Sequence, residues 1–261
     1  MSSKPKIGLA LGSGGAKGLA HIGVLKVLEE NDIPIDFITG SSMGSVIGSL
    51  YAAKQDVEEI ETIANETDWQ LLFSLLDPSW GEGLIEGEKV SDFIEEHLGD
   101  VSFSDLNIPL SVIATDIETG ESLSMNKGKV ISAVRASISL PLIFKPVEYK
   151  DKLLTDGGLS QPVPVEAAGE MDPDLIIAVN LQTNDFDKGK NLNLYRVANR
   201  SLDLLRYHLS LANVEEADCV ITPEVGNIRW NDFLSSEEAI EEGEQATRDK
   251  IAEIKETMDL I

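Results

Sequence analysis

Residues 35–51 read IDFITGSSMGSVIGSLY, a short apolar run that passes through a glycine turn into a helical pattern. Within it, residues 40–44 (Gly-Ser-Ser-Met-Gly) match G-x-S-x-G, the pattern of a serine on a sharp strand-to-helix turn. Residues 35–39 predict the strand, and the apolar spacing after Ser42 predicts the helix. Gly40 and Gly44 allow the strand and the helix to approach closely. Ser42 is the candidate nucleophile, because no neighbouring serine has glycine both two residues before it and two residues after it.

Short apolar runs and helical patterns alternate along the rest of the chain. Apolar runs typical of buried, parallel strands occur at residues 7–11, 110–114, 175–179 and, more briefly, 220–222. Helical patterns occur at residues 90–98, 198–214 and 237–258. This alternation predicts an α/β fold, a three-layer α/β/α sandwich with a mainly parallel central sheet. Since no repeat or linker divides the chain, we expect one domain over residues 1–261, with core motifs at about 6–219 and a C-terminal helix at about 235–258.

The composition limits the partners that the protein can have. Its 261 residues include 46 Asp and Glu against 21 Lys and Arg, a formal net charge of −25. Such a surface repels nucleic-acid phosphates, so no nucleic-acid partner is expected. No set of ligands has metal-binding spacing, and neither a metal nor another cofactor is expected. The apolar run after Lys4 and Lys6 is too short for a signal peptide or transmembrane segment. A single cysteine, Cys219, predicted to be a buried thiol, favours a cytoplasmic location.

A second glycine-rich turn lies between the first predicted strand and its helix. Residues 12–18 read GSGGAKG. A phosphate-binding Walker loop needs Ser or Thr after its lysine, whereas Gly18 follows Lys17; a dinucleotide loop needs glycine where Lys17 stands. Backbone N–H groups at a helix N-terminus suit negative charge, which in an acyl hydrolase is the oxyanion of the tetrahedral intermediate. Gly14 and Gly15 are the best candidate donors, because neither has a side chain that blocks substrate.

No histidine is a strong candidate for the general base, because none of the three lies in a loop rich in small residues. His21, His97 and His208 all fall within helical patterns. Residues 153–158 read LLTDGG, a predicted strand that runs into a glycine turn. Asp156 stands where the strand meets the turn, so its carboxylate is expected at a sheet edge. A desolvated aspartate can accept a serine proton directly. Taken alone, however, this motif is better explained as an ordinary glycine turn.

The three motifs together, in this order, resemble the patatin-like phospholipase family. Further similarity lies at residues 20–25 (AHIGVL), 114–116 (ATD) and 136–141 (ASISLP), and the resemblance extends from about residue 6 to 219. It implies a Ser42–Asp156 dyad without histidine, flanked by the Gly40–Gly44 turn and an Asp-Gly-Gly turn. The residues implied to bind the oxyanion or substrate are Gly14, Gly15, Lys17 and Gly18, and those of the Asp-Gly-Gly turn are Gly157 and Gly158.

Two departures from the family pattern are visible. Ser13 stands where the family loop often has its first glycine, and Leu142 and Ile143 follow Pro141 where the family commonly has a single glycine before a Phe-Pro pair. The second change is expected to affect acyl-chain preference.

The resemblance implies a hydrolase of lipid acyl esters, of phospholipase A or lysophospholipase type, acting through an acyl-enzyme. Its expected partners are a lipid acyl ester substrate and, transiently, a membrane surface. Alternatives are an acyltransferase, a hydrolase of small esters or thioesters on the same dyad, and a non-catalytic regulatory protein on the same fold. The apolar segment from Trp69 to Trp80 is expected to line an acyl pocket, to form a lid hinged at Gly81, Gly83 and Gly87, or simply to be a packed helix.

Overall fold

The computed structural model describes residues 5–67, 87–184 and 193–261. A sheet of eight strands lies at its centre, in the order β5-β6-β3-β2-β1-β7-β8, with β4 beside β3. Strands β1, β2, β3, β7 and β8 pair in parallel, and β4, β5 and β6 pair antiparallel. The strands are β1 (Ile7–Leu11), β2 (Phe37–Ser41), β3 (Leu110–Asp116), β4 (Ser122–Met125), β5 (Val147–Tyr149), β6 (Lys152–Asp156), β7 (Leu175–Val179) and β8 (Cys219–Ile221).

Helices connect most of these strands and cover the sheet. They are α1 (Ala20–Glu30), α2 (Met43–Lys54), α3 (Val57–Glu66), α4 (Glu88–Leu98), α5 (Val130–Ser137), α6 (Val165–Gly169), α7 (Leu194–Asn213) and α8 (Ser236–Asp259). Asp56 begins α3 by accepting a hydrogen bond from the N–H of Glu59, which satisfies a donor that the helix leaves free.

Successive side chains of β1 point to opposite faces of the sheet. Leu9 and Leu11 join the large core that is shared with α1, α2 and α8, whereas Ala10 joins a smaller core beneath α6. Both faces of the sheet are therefore covered by helix, and all five residues of β1 are buried. The predicted α/β/α arrangement around a mainly parallel sheet is confirmed.

Some strand boundaries differ from the prediction. The second strand, expected at residues 35–39, lies at Phe37–Ser41, because it pairs with Leu110 to Ile113 of β3. Strand β3 continues beyond Ala114 to Asp116, since its last residues pair with β4 and β6. The short strands β4 and β5 were not predicted.

The single cysteine lies in β8. Cys219 is buried, as the sequence predicts, and burial raises the pKa of its thiol to about 11. Within the described ranges, no helix combines the length and apolar character needed to cross a membrane. The segment from Trp69 to Trp80, with Gly81 and Gly83, lies outside the described residues. Gly87, the third expected hinge, precedes α4 with a φ of 78°.

Candidate active site

Two strand ends meet beside the middle of β3. Strand β2 ends at Ser41, opposite Ile113, and β6, running in the other direction, ends at Asp156, opposite Ala114. Because these partners are consecutive residues of β3, the register brings the residue that follows β2 next to the last residue of β6. Ser42 and Asp156 thus meet although they are far apart in sequence.

The turn at Ser42 holds this residue in a strained backbone conformation. Its φ is 52° and its ψ is −123°, a region that costs a non-glycine residue roughly 1–3 kcal/mol. A methyl group on Gly40 would lie 2.6 Å from the carbonyl oxygen of Gly44, and one on Gly44 would overlap the carbonyl oxygen of Leu11. The N–H of Ser42 donates to Oγ of Ser137 at 2.9 Å. The two glycines are therefore required for helix α2 to start this close to the sheet.

The side chains of Ser42 and Asp156 are hydrogen-bonded to each other. Oγ of Ser42 donates to Oδ2 of Asp156 at 2.7 Å, and the N–H of Gly158 donates to Oδ1 at 2.8 Å. Asp156 is completely buried and Ser42 is 5% exposed. A methyl group on Gly157 would overlap the carbonyl oxygen of Ile113, so the Asp-Gly-Gly turn packs directly onto β3. The carboxylate is thus fixed with one oxygen on the serine and the other on the turn.

Burial sets the proton affinity of Asp156. Loss of solvent raises its pKa above the ordinary aspartate value, while the charge of Arg206 and the hydrogen bonds from Ser42 and Gly158 oppose that rise. Nη2 of Arg206 lies 3.8 Å from Oδ1 of Asp156. A carboxylate with a raised pKa is a stronger proton acceptor than an exposed one, which suits a general base acting directly on a serine.

The glycine loop lies at the wall of the cavity above Ser42. The N–H of Ala16 donates to the carbonyl oxygen of Trp230 at 2.7 Å. The N–H groups of Gly14 and Gly15 have no acceptor among the described residues, and both glycines line the cavity above Ser42. Gly15 has a φ of 57°, and a methyl group there would overlap the Trp230 carbonyl oxygen. The loop can therefore offer N–H groups to an oxyanion.

The other two predicted loop residues have different surroundings. Lys17 lines the cavity and its Nζ donates to Oγ1 of Thr183 at 3.4 Å. Gly18 is buried, and a methyl group there would overlap the side chain of Met43, so its described contact is with the start of α2.

Ser42 lies where two cavities adjoin. The larger, of about 570 Å³, is lined mainly by polar and charged side chains. The smaller, of about 30 Å³, is apolar. Its lining includes Met43, Val46, Phe93, Phe144 and Phe233. The residues common to both cavities are Gly15, Ser42, Leu140 and Trp230. A substrate with one polar and one apolar end fits this division.

None of the three histidines lines either cavity. His21 is fully buried, its Nε2 lies 2.8 Å from the carbonyl oxygen of Gly12, and burial lowers its pKa to about 4. His97 packs edge-on against Phe93, and His208 is exposed on α7. In the parts of the chain that the structure describes, no three His, Cys, Asp or Glu residues are grouped to hold a metal ion.

Two residues of the site were not predicted from the sequence. Ser137 accepts the N–H of Ser42, and the only signal for it was its position in the ASISLP segment. Arg206 approaches Asp156 from α7. Its signal was the series Arg196, Arg200 and Arg206 on one helix of an otherwise acidic chain.

Comparison with known proteins places the chain in a family. The model of the family described as Patatin-like phospholipase matches residues 9–168. An uncharacterized NTE family protein of Mycobacterium tuberculosis is 40% identical over 185 residues, which cover 70% of this chain and 51% of that protein. The neuropathy target esterase of Drosophila melanogaster is 34% identical over 187 residues, covering 69% of this chain and 13% of that protein. The chain thus spans about half the length of the mycobacterial relative.

Two solved structures also align with most of the chain. VipD from Legionella pneumophila gives a TM-score of 0.46 at 13% identity, covering 92% of this chain and 67% of that one. ExoU from Pseudomonas aeruginosa, solved with SpcU, gives 0.46 at 18% identity, covering 95% and 54%.

Proposed function

Because the chain belongs to the patatin-like phospholipase family, we propose that it hydrolyses acyl esters of lipids, with Ser42 as nucleophile and Asp156 as general base. The observation that carries the proposal is the 2.7 Å hydrogen bond from Ser42 Oγ to the buried carboxylate of Asp156, at the floor of a cavity. The expected phospholipase A or lysophospholipase type and the cytoplasmic location remain predictions.

The first half of the proposed reaction acylates Ser42. Oγ attacks the ester carbonyl carbon while its proton passes to Oδ2 of Asp156. The carbonyl oxygen becomes negative and faces the N–H groups of Gly14 and Gly15, each of which is worth on the order of 3 kcal/mol in such a role. When the carbon–oxygen bond to the alcohol breaks, the leaving oxygen takes the proton from Asp156.

The second half releases the fatty acid. The oxygen of a water molecule attacks the acyl carbon on Ser42 while Asp156 accepts a proton from that water. The new oxyanion again faces the glycine loop. The carbon–Oγ bond then breaks, Oγ takes the proton from Asp156, and the carboxylic acid leaves. The small apolar cavity beside Ser42 supports an apolar group next to the ester carbonyl.

Hydrolysis of a short-chain chromogenic ester tests the two assigned roles. Ser42→Ala and Asp156→Asn are each expected to reduce kcat by a factor on the order of 10⁴ or more. Ser41→Ala is the matched control, because its Oγ is buried, makes no hydrogen bond in the described structure, and stands one residue away. Activity that survives Ser42→Ala would overturn the nucleophile assignment. Loss of activity in His208→Ala would instead indicate a triad.

A further inference from the structure

The large cavity above Ser42 has the opposite charge to the molecule as a whole. Among the described residues, five cationic side chains line it, against two carboxylates, in a chain whose net charge is −25. The cations are Lys17, Arg196, Arg200, Arg206 and Arg229, and the carboxylates are Asp156 and Asp203. Because field lines concentrate in clefts with low-dielectric walls, this cavity attracts anions even though most of the protein surface repels them.

Arg206 is a largely buried cation beside the dyad. Its side chain is 13% exposed, Nη2 lies 3.8 Å from Oδ1 of Asp156, and Nη1 lies 3.9 Å from Oδ1 of Asp203. Both separations are too long for a hydrogen bond. Nε and Nη2 are buried and have no hydrogen-bond partner among the described residues. Buried N–H donors without acceptors are unfavourable, so a group that supplies acceptors to them is bound more favourably than one that does not.

We propose that Arg206 binds a phosphate group of the substrate, so that the site selects acyl esters that carry a phosphate over neutral esters. This inference rests on the proposed function. A guanidinium matches phosphate oxygens with two parallel N–H bonds. Arg206 lies beside the carboxylate that accepts the hydrogen bond from Ser42. A phosphate bound to Arg206 therefore lies close to the ester that Ser42 attacks.

The two cavities give the substrate a direction. The acyl carbons nearest the ester occupy the small apolar cavity that Met43 and Phe144 line, the ester lies at Ser42, and the phosphate enters the cationic cavity that Arg206 lines. A neutral glyceride would leave the donors of Arg206 without acceptors, which a site built to hydrogen-bond its substrate discriminates against.

The test compares two esters that differ only in the phosphate: monooleoylglycerol and its phosphate monoester, lysophosphatidic acid. Arg206→Gln is expected to reduce kcat/KM for the phosphate ester by roughly 10- to 100-fold, the range for lost charge-assisted hydrogen bonds, and for the neutral ester by less than about threefold. Arg206→Lys keeps the charge between Asp156 and Asp203 but not the planar fork, so it folds as wild type and shows a smaller, equally selective loss. Rates are compared on the pH plateau, since Arg206 also lowers the pKa of Asp156.

Arg248→Gln is the matched control, because Arg248 is exposed on α8 and pairs with Glu30 and Glu244. Inorganic phosphate is the second probe: it is expected to inhibit wild type competitively and to bind Arg206→Gln at least about tenfold more weakly. Equal losses on both esters, or none, would overturn the phosphate subsite and leave the hydrolase intact. Inhibition by free phosphate without ester selectivity would likewise assign Arg206 to free anions instead of to substrate. If wild type cleaves neither ester, the proposed function itself fails.

Discussion

Asp156 has to be ionised before it can accept a proton, so its own pKa limits activity at low pH. Since burial raises that pKa, the acid limb of kcat/KM is expected above the ordinary aspartate value of about 4. Activity is lost as pH falls through the raised pKa. Arg206→Gln should move the limb to higher pH, because the arginine charge opposes the rise. A pH profile with an uncharged ester measures both effects, with circular dichroism at each pH to detect unfolding. A wild-type limb at or below 4 would contradict the assignment.

His21 links pH to stability rather than to catalysis. Its pKa is lowered from 6.5 to about 4, so between these values the unfolded chain binds a proton that the folded chain does not. The stability that this group contributes is present above 6.5 and is lost as pH falls towards 4, by roughly 3 kcal/mol in total. His21→Gln removes the titration. Denaturant unfolding at several pH values should therefore show the wild type losing stability more steeply than the variant over this window, while exposed His208→Gln follows the wild type. Parallel curves for wild type and His21→Gln would refute the prediction.

The glycine loop offers a test at the level of a connecting segment. A methyl group on Gly15 would overlap the Trp230 carbonyl oxygen, and its positive φ disfavours any side chain, so Gly15→Ala should displace the loop and its N–H donors. We expect kcat/KM to fall on the order of 10²-fold or more. Gly169→Ala is the control, because no atom lies within 4 Å of a methyl group there and alanine is favourable in helix α6. Wild-type activity in Gly15→Ala would show that the loop does not hold the oxyanion.

Segments with strong local signals could be predicted from the sequence, and those that depend on distant pairing could not. Strands β1 and β7 were predicted at their observed bounds, because each is a continuous apolar run stopped by polar or glycine residues. Strands β4 and β5 have four and three residues, and only one of these seven, Met125, is buried, so neither carries a distinct pattern. The sharp turn at Ser42 was predicted from the glycine spacing together with the strand pattern before it and the helical pattern after it. The approach of Arg206 to Asp156 depends on how α7 lies over the sheet, and no local pattern encodes that placement.

Charge is distributed unevenly over the whole molecule, and this has opposite consequences for stability and for binding. The net charge of −25 destabilises the folded state by self-repulsion, while the cationic cavity attracts anions. Salt screens both interactions. Raising the salt concentration should therefore stabilise the fold and, at the same time, raise KM for lysophosphatidic acid but not for monooleoylglycerol.

Thermal unfolding in sodium chloride measures the first of these effects. Between about 0.01 M and about 0.15 M salt the screening length falls from about 30 Å to about 8 Å, so repulsion between distant carboxylates is largely removed. The midpoint is expected to rise by a few degrees at pH 7. Sodium chloride at these concentrations is used because salts such as sulfate also stabilise folded proteins by strengthening the burial of apolar surface. Near pH 4.3, the pI of the sequence, the net charge is close to zero and the same salt step should leave the midpoint nearly unchanged. A midpoint that falls with salt at pH 7 would mean that attractive ion pairs, such as those of Lys26 with Glu61 and Glu244, outweigh the repulsion.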